Sequence, residues 1–162
     1  MDIRIGYGED IHALVKGREL VLGGVHIPFE KGLLGHSDAD VLFHAISDAL
    51  LGSAALGDIG KVFPPNDPKT EGIDSAIILE KCFSMVREKG YRVINVDSSI
   101  GCESPHLSKY LSIMRKNIAK ILEIPFENVS VKAMTNEGFD AVGEGKAIRA
   151  IAAILIYKEA SL

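Results

Sequence analysis

The segment from Gly32 to Gly60, GLLGHSDADVLFHAISDALLGSAALGDIG, constrains the fold more than any other part of the chain. Val41, Leu42, Ala45, Ile46, Ala49 and Leu50 recur at helical spacing, which predicts a helix with one apolar face. The same stretch carries His36, Ser37, Asp38, Asp40, His44, Asp48 and Asp58. A chain that buries such a helix must turn these groups to water or give them a ligand. Asp40, His44 and Asp48 fall on one face at i, i+4 and i+8, and that face is either a solvated side or a wall of a metal site. Spacing leaves both open. Ser37 followed by Asp40 resembles a capping box, so the helix is expected to start near Asp38.

Around this segment the chain alternates strand and helix signals. IRIGYGEDIH reads as a strand broken by Gly6 and Gly8, and ELVLGGVHIPF as a hairpin turning on its Gly-Gly pair. FPPNDPKTEG is a proline-stiffened loop. A second helix is expected from about Asp74 to Lys89, stopped by Gly90. YRVINVDSSIG and NVSVKAMT read as strands, with an amphipathic helix SKYLSIMRKNIAKIL between them, ended by Pro125. AIRAIAAILIYK is ambiguous, its isoleucines favouring a strand and its alanines a helix. Without a repeat or linker, residues 1–162 read as a single α+β domain.

A formal net charge of −4 argues against a general nucleic-acid surface, which wants a basic field. A local phosphate site stays open, because a metal ion supplies charge that composition does not count. Cys82 and Cys102 form no CxxC pair, which suits a reducing compartment. MDIRIGYGEDIH lacks the apolar core of a signal peptide, and no apolar run reaches the roughly 18 residues that span a bilayer. A cytoplasmic location is expected.

Two phosphate motifs fail on inspection. Gly6 and Gly8 begin a GxGxxG whose third position is Ile11, and GEGKA has Asp140 and Ala147 where a P-loop needs Gly and Ser or Thr. Both glycine sets read as tight turns. Asp10 and His12 are more telling. Two apart on a strand they share a side, and Glu9 points away. His44 is a candidate third ligand, or it simply pairs with Asp40 or Asp48. An Asp/His/His set leaves a fourth position open on zinc, as catalytic sites do. Asp40 or Asp48 would then hold the other imidazole N–H. His36 and Ser37 precede the helix, where backbone N–H groups favour an anion, although capping and exposure explain them too. Asp58 reads as a turn residue, Glu137 as a loop acid and His26 as a hairpin surface residue.

DIH, LGGVHIP, the long GLLGHSDADV segment, FPPNDP, INVD, MRKNIA and VSVKAMTNE occur in an order that resembles the 2-C-methyl-D-erythritol 2,4-cyclodiphosphate synthase family, from about Ile3 to Tyr157. The resemblance implies a mixed sheet covered by helices on one face, a small β-hairpin, and a homotrimer with sites between subunits. It also implies a strand for AIRAIAAILIYK. The implied reaction belongs to non-mevalonate isoprenoid biosynthesis and is that of a metal-dependent phosphorus–oxygen lyase. It cyclises 4-diphosphocytidyl-2-C-methyl-D-erythritol 2-phosphate to the 2,4-cyclodiphosphate and releases CMP.

Carried over by position, Asp10, His12 and His44 hold one zinc per subunit, and Glu137 holds a second divalent cation, Mg²⁺ or Mn²⁺. His36 and Thr135 take catalytic roles. Substrate contacts are implied at Asp10, His12, His36, Ser37, Asp58, Ile59, Gly60, Phe63 and Asp67. Further contacts are implied at Cys102, Pro105, His106, Leu107, Met134, Thr135, Asn136 and Glu137.

The chain departs from the family pattern at several points. The nucleotide loop, commonly A-Q-x-P-K, is CESPHL, with Glu103 for Gln and His106 for Lys. T-T-T-E is MTNE. G-F-x-G-R-x-E-G is GFDAVGEG, with Val142 where an arginine linked to a central-cavity isoprenoid diphosphate would fall. Pro65 replaces a common aspartate. A non-catalytic metal or isoprenoid-diphosphate binding protein on the same scaffold is the alternative reading. A zinc phosphohydrolase, which would release inorganic phosphate, is a third.

Overall fold

One long strand organises the molecule. In the computed structural model, which describes residues 1–64 and 67–159, β1 runs from Asp2 to Lys16. It pairs antiparallel with β7 (Ala147–Lys158), in register from Asp2 opposite Lys158 to Ala13 opposite Ala147. Its far end pairs with β4 (Lys31–Leu33). On the other side of β7 lies β5 (Arg92–Gly101), antiparallel to it, and β6 (Val129–Met134) runs parallel to β5. The order β4-β1-β7-β5-β6 is therefore a mixed sheet. A separate hairpin joins β2 (Leu20–Leu22) to β3 (Val25–Ile27), with Gly23 and Gly24 at φ +57° and +70°. That is the turn the Gly-Gly pair predicts.

Alternation along β7 shows which face is covered. Ile148, Ala150, Ala152, Ile154 and Ile156 are fully or almost fully buried. They pack under α1 (Val41–Ser53), which also lies on β1 and against α3 (Ser75–Glu88). Leu42, Phe43, Ile46 and Leu50 of α1 are buried in this layer. Each such side chain contributes about 1.5–3 kcal/mol relative to exposure. The outer side of β1 leaves Ile3, Ile5, Tyr7 and Ile11 exposed. α4 (Leu111–Ile121) follows a 3₁₀ turn at Ser108–Tyr110, so the regular helix begins three residues after the expected start.

Two sequence expectations change, and two others hold or are settled. Gly6 and Gly8 do not break the strand or turn it. A Cβ would lie 1.8 Å from the Ala49 carbonyl oxygen at Gly6 and 2.0 Å from that of Ala45 at Gly8. The glycines let α1 lie directly on β1. The GEGKA segment does turn, with Gly145 at φ +67°. The cap of α1 is Asp40 rather than Ser37, and the helix starts at Val41. AIRAIAAILIYK is a strand, buried on alternate residues. Pro65 and Asn66, in the proline-rich loop, lie outside the described residues.

Candidate metal and phosphate site

Even-numbered residues of β1 face α1, so Asp10 and His12 are aimed at the helix that carries His44. Tyr7 and Glu9, hydrogen bonded at 2.7 Å, share the opposite face. Asp10 Oδ2 lies 2.9 Å from His44 Nδ1 and 3.0 Å from His12 Nε2, and the two ring nitrogens are 3.4 Å apart. Ligands about 2.0–2.1 Å from a tetrahedral zinc ion stand about 3.3 Å from one another, so the three atoms already have the spacing of such a set. Asp10, His12 and His44 are the one group of this kind among the described residues.

The outer nitrogens of both histidines are held. His12 Nδ1 is 2.7 Å from the Leu34 carbonyl oxygen, which only accepts, so Nδ1 carries the proton and Nε2 is the atom that could hold a metal. His44 Nε2 lies 2.9 Å from Ser75 Oγ and 3.1 Å from Ser37 Oγ. Neither Asp40 nor Asp48 holds this imidazole, contrary to expectation. Asp40 is fully buried and accepts from the backbone N–H groups of Gly24, Leu42 and Phe43. Asp48 accepts from the N–H of Ile59 at 2.8 Å and so pins the start of α2 (Ile59–Val62). Of the three polar residues on that helical face, only His44 serves the cluster. The others meet backbone donors.

Burial works against charge on Asp10, but the two imidazoles beside it, His12 and His44, outweigh it and hold its carboxyl well below the usual range. Burial likewise opposes the imidazolium of His12, and the Asp10 hydrogen bond reverses this and raises its pKa. Burial raises the pKa of Asp40 and of Asp48.

Beside the triad, His36, Ser37, Ile59, Gly60 and Phe63 line one cavity of about 180 Å³, together with Thr70, Ile73 and Ile78. Five implied substrate contacts thus share a wall, although the last three residues carried no motif. His36 Nε2 donates to the Asp67 carbonyl oxygen at 3.2 Å. Asp58 caps α2, accepting from the N–H of Lys61 at 2.9 Å.

A second group of implied contacts gathers where β5 and β6 end. Gly101 is registered opposite Met134, and Cys102 N–H donates to the Met134 carbonyl oxygen at 2.9 Å. Glu103 accepts from the N–H of Asn136 at 2.5 Å, so the residue that departs from the family's glutamine fastens the two loops together. Thr135 Oγ1 donates to Glu137 at 2.8 Å, and both residues are exposed. His106 is exposed, whereas Leu107 is buried. The Cys102 thiol is buried and pushed up to about 11, so it stays protonated and donates to the Ser104 carbonyl oxygen at 3.2 Å. Val142, in α5 (Asp140–Gly143), is fully buried and packs toward Gly101. Gly101 and Ile11 are both registered opposite Arg149, which puts the loops and the triad at the same end of the sheet.

The chain is similar to known proteins over nearly its whole length. The model of the YgbB family matches residues 3–157. The 2-C-methyl-D-erythritol 2,4-cyclodiphosphate synthase of Paraburkholderia phytofirmans is 53% identical over 158 residues, covering 98% of this chain and 99% of that protein. That of Burkholderia mallei is 53% identical over 161 residues, covering 99% of each. Among solved structures, the bifunctional IspDF of Campylobacter jejuni superposes with a TM-score of 0.93 at 35% identity. The match covers 98% of this chain but only 43% of that one. The CDP complex of Plasmodium falciparum IspF gives a TM-score of 0.85 at 37% identity, covering 98% and 97%.

Proposed function

The chain belongs to the YgbB family, and from that premise we propose that it cyclises 4-diphosphocytidyl-2-C-methyl-D-erythritol 2-phosphate to the 2,4-cyclodiphosphate with release of CMP. The observation that carries this reading is the converged Asp10/His12/His44 cluster beside the cavity lined by His36, Ser37 and Phe63. It lies in a chain 53% identical to named synthases over nearly its whole length.

Asp10, His12 and His44 are the residues that would hold zinc, and Glu137 the residue for a Mg²⁺ or Mn²⁺ ion. Bound there, such cations supply positive charge to phosphate oxygens and fix the phosphorus for in-line displacement. The chain's own residues do the rest. His36 and Ser37 receive the phosphate end, and the Cys102–Leu107 loop takes the cytidine end. Thr135, at the rim with Glu137, can turn its hydroxyl toward the charge that develops on the diphosphate. An oxygen of the 2-phosphate attacks the β-phosphorus, and the bond from that phosphorus to the bridging oxygen breaks, so CMP leaves. The nucleophile is already anionic and needs no side-chain base. Catalysis is then positioning and charge stabilisation.

We propose further that the chain acts as a homotrimer in the cytoplasm, with each site completed by a neighbouring copy. The exposed Ile3, Ile5, Tyr7 and Ile11 on the uncovered sheet face support the assembly, and the free, buried Cys82 and Cys102 suit the compartment. With Val142 buried, binding of an isoprenoid diphosphate in a central cavity is weak or absent. Incubation with the cytidyl substrate tests the main reading. CMP and cyclic diphosphate in equal amounts support it, inorganic phosphate would favour a phosphohydrolase, and no turnover would favour a binding protein.

A further inference from the structure

The side chain on the far side of His44 is itself fixed, and the fixing comes from Asp38. Its carboxylate accepts from the N–H of Asp40 at 3.1 Å, from the N–H of Ser75 at 3.1 Å, and from the Ser75 hydroxyl. A carboxylate only accepts, so Ser75 spends its one hydroxyl hydrogen on Asp38. Ser75 is fully buried. What its oxygen has left is a lone pair, facing His44 Nε2 at 2.9 Å. That contact is a hydrogen bond only if Nε2 carries the proton. In the neutral ring the proton on Nε2 leaves Nδ1 bare, so Nδ1 and Asp10 Oδ2, 2.9 Å apart, are two acceptors that a shared cation can join.

We propose that Asp38 and Ser75 are positioning residues for the metal site, a carboxylate–hydroxyl relay that holds His44 in the Nε2–H tautomer. The donor order is Ser75 hydroxyl to Asp38, then His44 Nε2–H to Ser75. Ser37 Oγ, which accepts from the N–H of Ala39 at 3.0 Å, adds a second acceptor near the same imidazole hydrogen. His12 reaches the same state by a shorter route, through the Leu34 carbonyl. Asp38 sits in the loop before α1 and Ser75 opens α3, so the relay also ties both helices to the ring that must stay still. This inference rests on the reading of the triad as a metal site.

An alanine at position 38 would remove the acceptor altogether, whereas an asparagine would reverse the pattern in only one of its two amide orientations. Its amide must set an N–H against the N–H of Asp40 and the Ser75 hydroxyl, or against the N–H of Ser75. In the first case Ser75 is driven to donate to His44 Nε2, which leaves the proton on Nδ1.

The test is zinc affinity of the metal-stripped protein, measured by competition with a chelator, with thermal melting followed in parallel. Wild type is expected to bind one zinc per chain. Ser75→Ala and Asp38→Ala should each weaken binding by about 10- to 100-fold, and Ser75→Thr, which keeps the hydroxyl, should stay close to wild type. Ser75→Ala or Asp38→Ala, whichever folds, suffices, because affinity is read on folded protein. Lower melting temperatures with unchanged zinc affinity would overturn the relay and leave a purely structural contact. A wild type that binds no zinc would overturn the metal reading itself, and the relay with it.

Discussion

The two halves of the candidate site are built in opposite ways. Asp10, His12 and His44 are drawn together by the core: a strand and a helix lie in direct contact over Gly6 and Gly8, and the outer nitrogen of each imidazole already has an acceptor. Thr135, Glu137 and His106 sit on exposed loops at the sheet's edge, held by a few contacts such as Glu103 to Asn136. The first half is complete within one chain because its groups are partly or wholly buried and cannot be left unpaired. The second half leaves Thr135 and Glu137 hydrogen bonded to each other, poised to exchange that partner for a ligand. Substitutions in the first half should therefore remove metal, and those in the second should change rate or affinity with the metal in place.

The largest effect should come from His44→Ala. Two remaining ligands hold zinc poorly, so metal and turnover should be lost together while the assembly persists. Normal turnover with one zinc per chain would erase the distinction between the halves. Thr135→Ala should leave zinc content alone and lower kcat by about a hundredfold, with a much smaller change in KM, as for loss of a donor used in the transition state. A pure KM effect would reduce Thr135 to substrate binding.

A pH comparison sharpens the first half. The lowered pKa of Asp10 gives stability that is present above its ordinary value and lost only as pH falls through the depressed one. The raised pKa of His12 gives stability that is present below about 6.5 and lost as pH rises through the raised value. The metal-free cluster therefore stabilises the fold most between these limits. Zinc requires deprotonated imidazoles, so the rise in melting temperature on adding Zn²⁺ should grow from about pH 6 to about pH 8. Equal rises at both ends would mean that the histidines are not the ligands.

The smallest effect concerns His106 in the second half. An exposed side chain at the nucleotide loop contributes little beyond its one contact, so His106→Gln should raise substrate KM only a few-fold and leave kcat and zinc content unchanged. A KM equal to that of wild type would show that only the loop backbone meets the nucleotide.

What the sequence revealed follows a physical divide. Asp10 and His12 were legible because strand geometry alone puts residues two apart on one side. The Gly23-Gly24 hairpin and the helix stopped by Gly90 were legible because turns and helix stops are local chemistry. Gly6 and Gly8 misled, since a close helix approach and a tight turn both ask for a missing Cβ. Asp40 and Asp48 looked like partners for His44 by helical spacing, yet tertiary backbone donors claimed them. Ser75 carried no signal at all. It stands 31 positions from His44 in sequence, and only the packing of α3 on α1 brings the two together.

If the partly buried triad is a catalytic metal site, turnover must follow zinc content. The protein would be stripped with a chelator, reloaded stepwise, and assayed for CMP release at each measured zinc-to-chain ratio with Mg²⁺ constant. The account predicts near-zero turnover when stripped and a linear rise that saturates at one zinc per chain. Full CMP release from protein holding almost no zinc would contradict it.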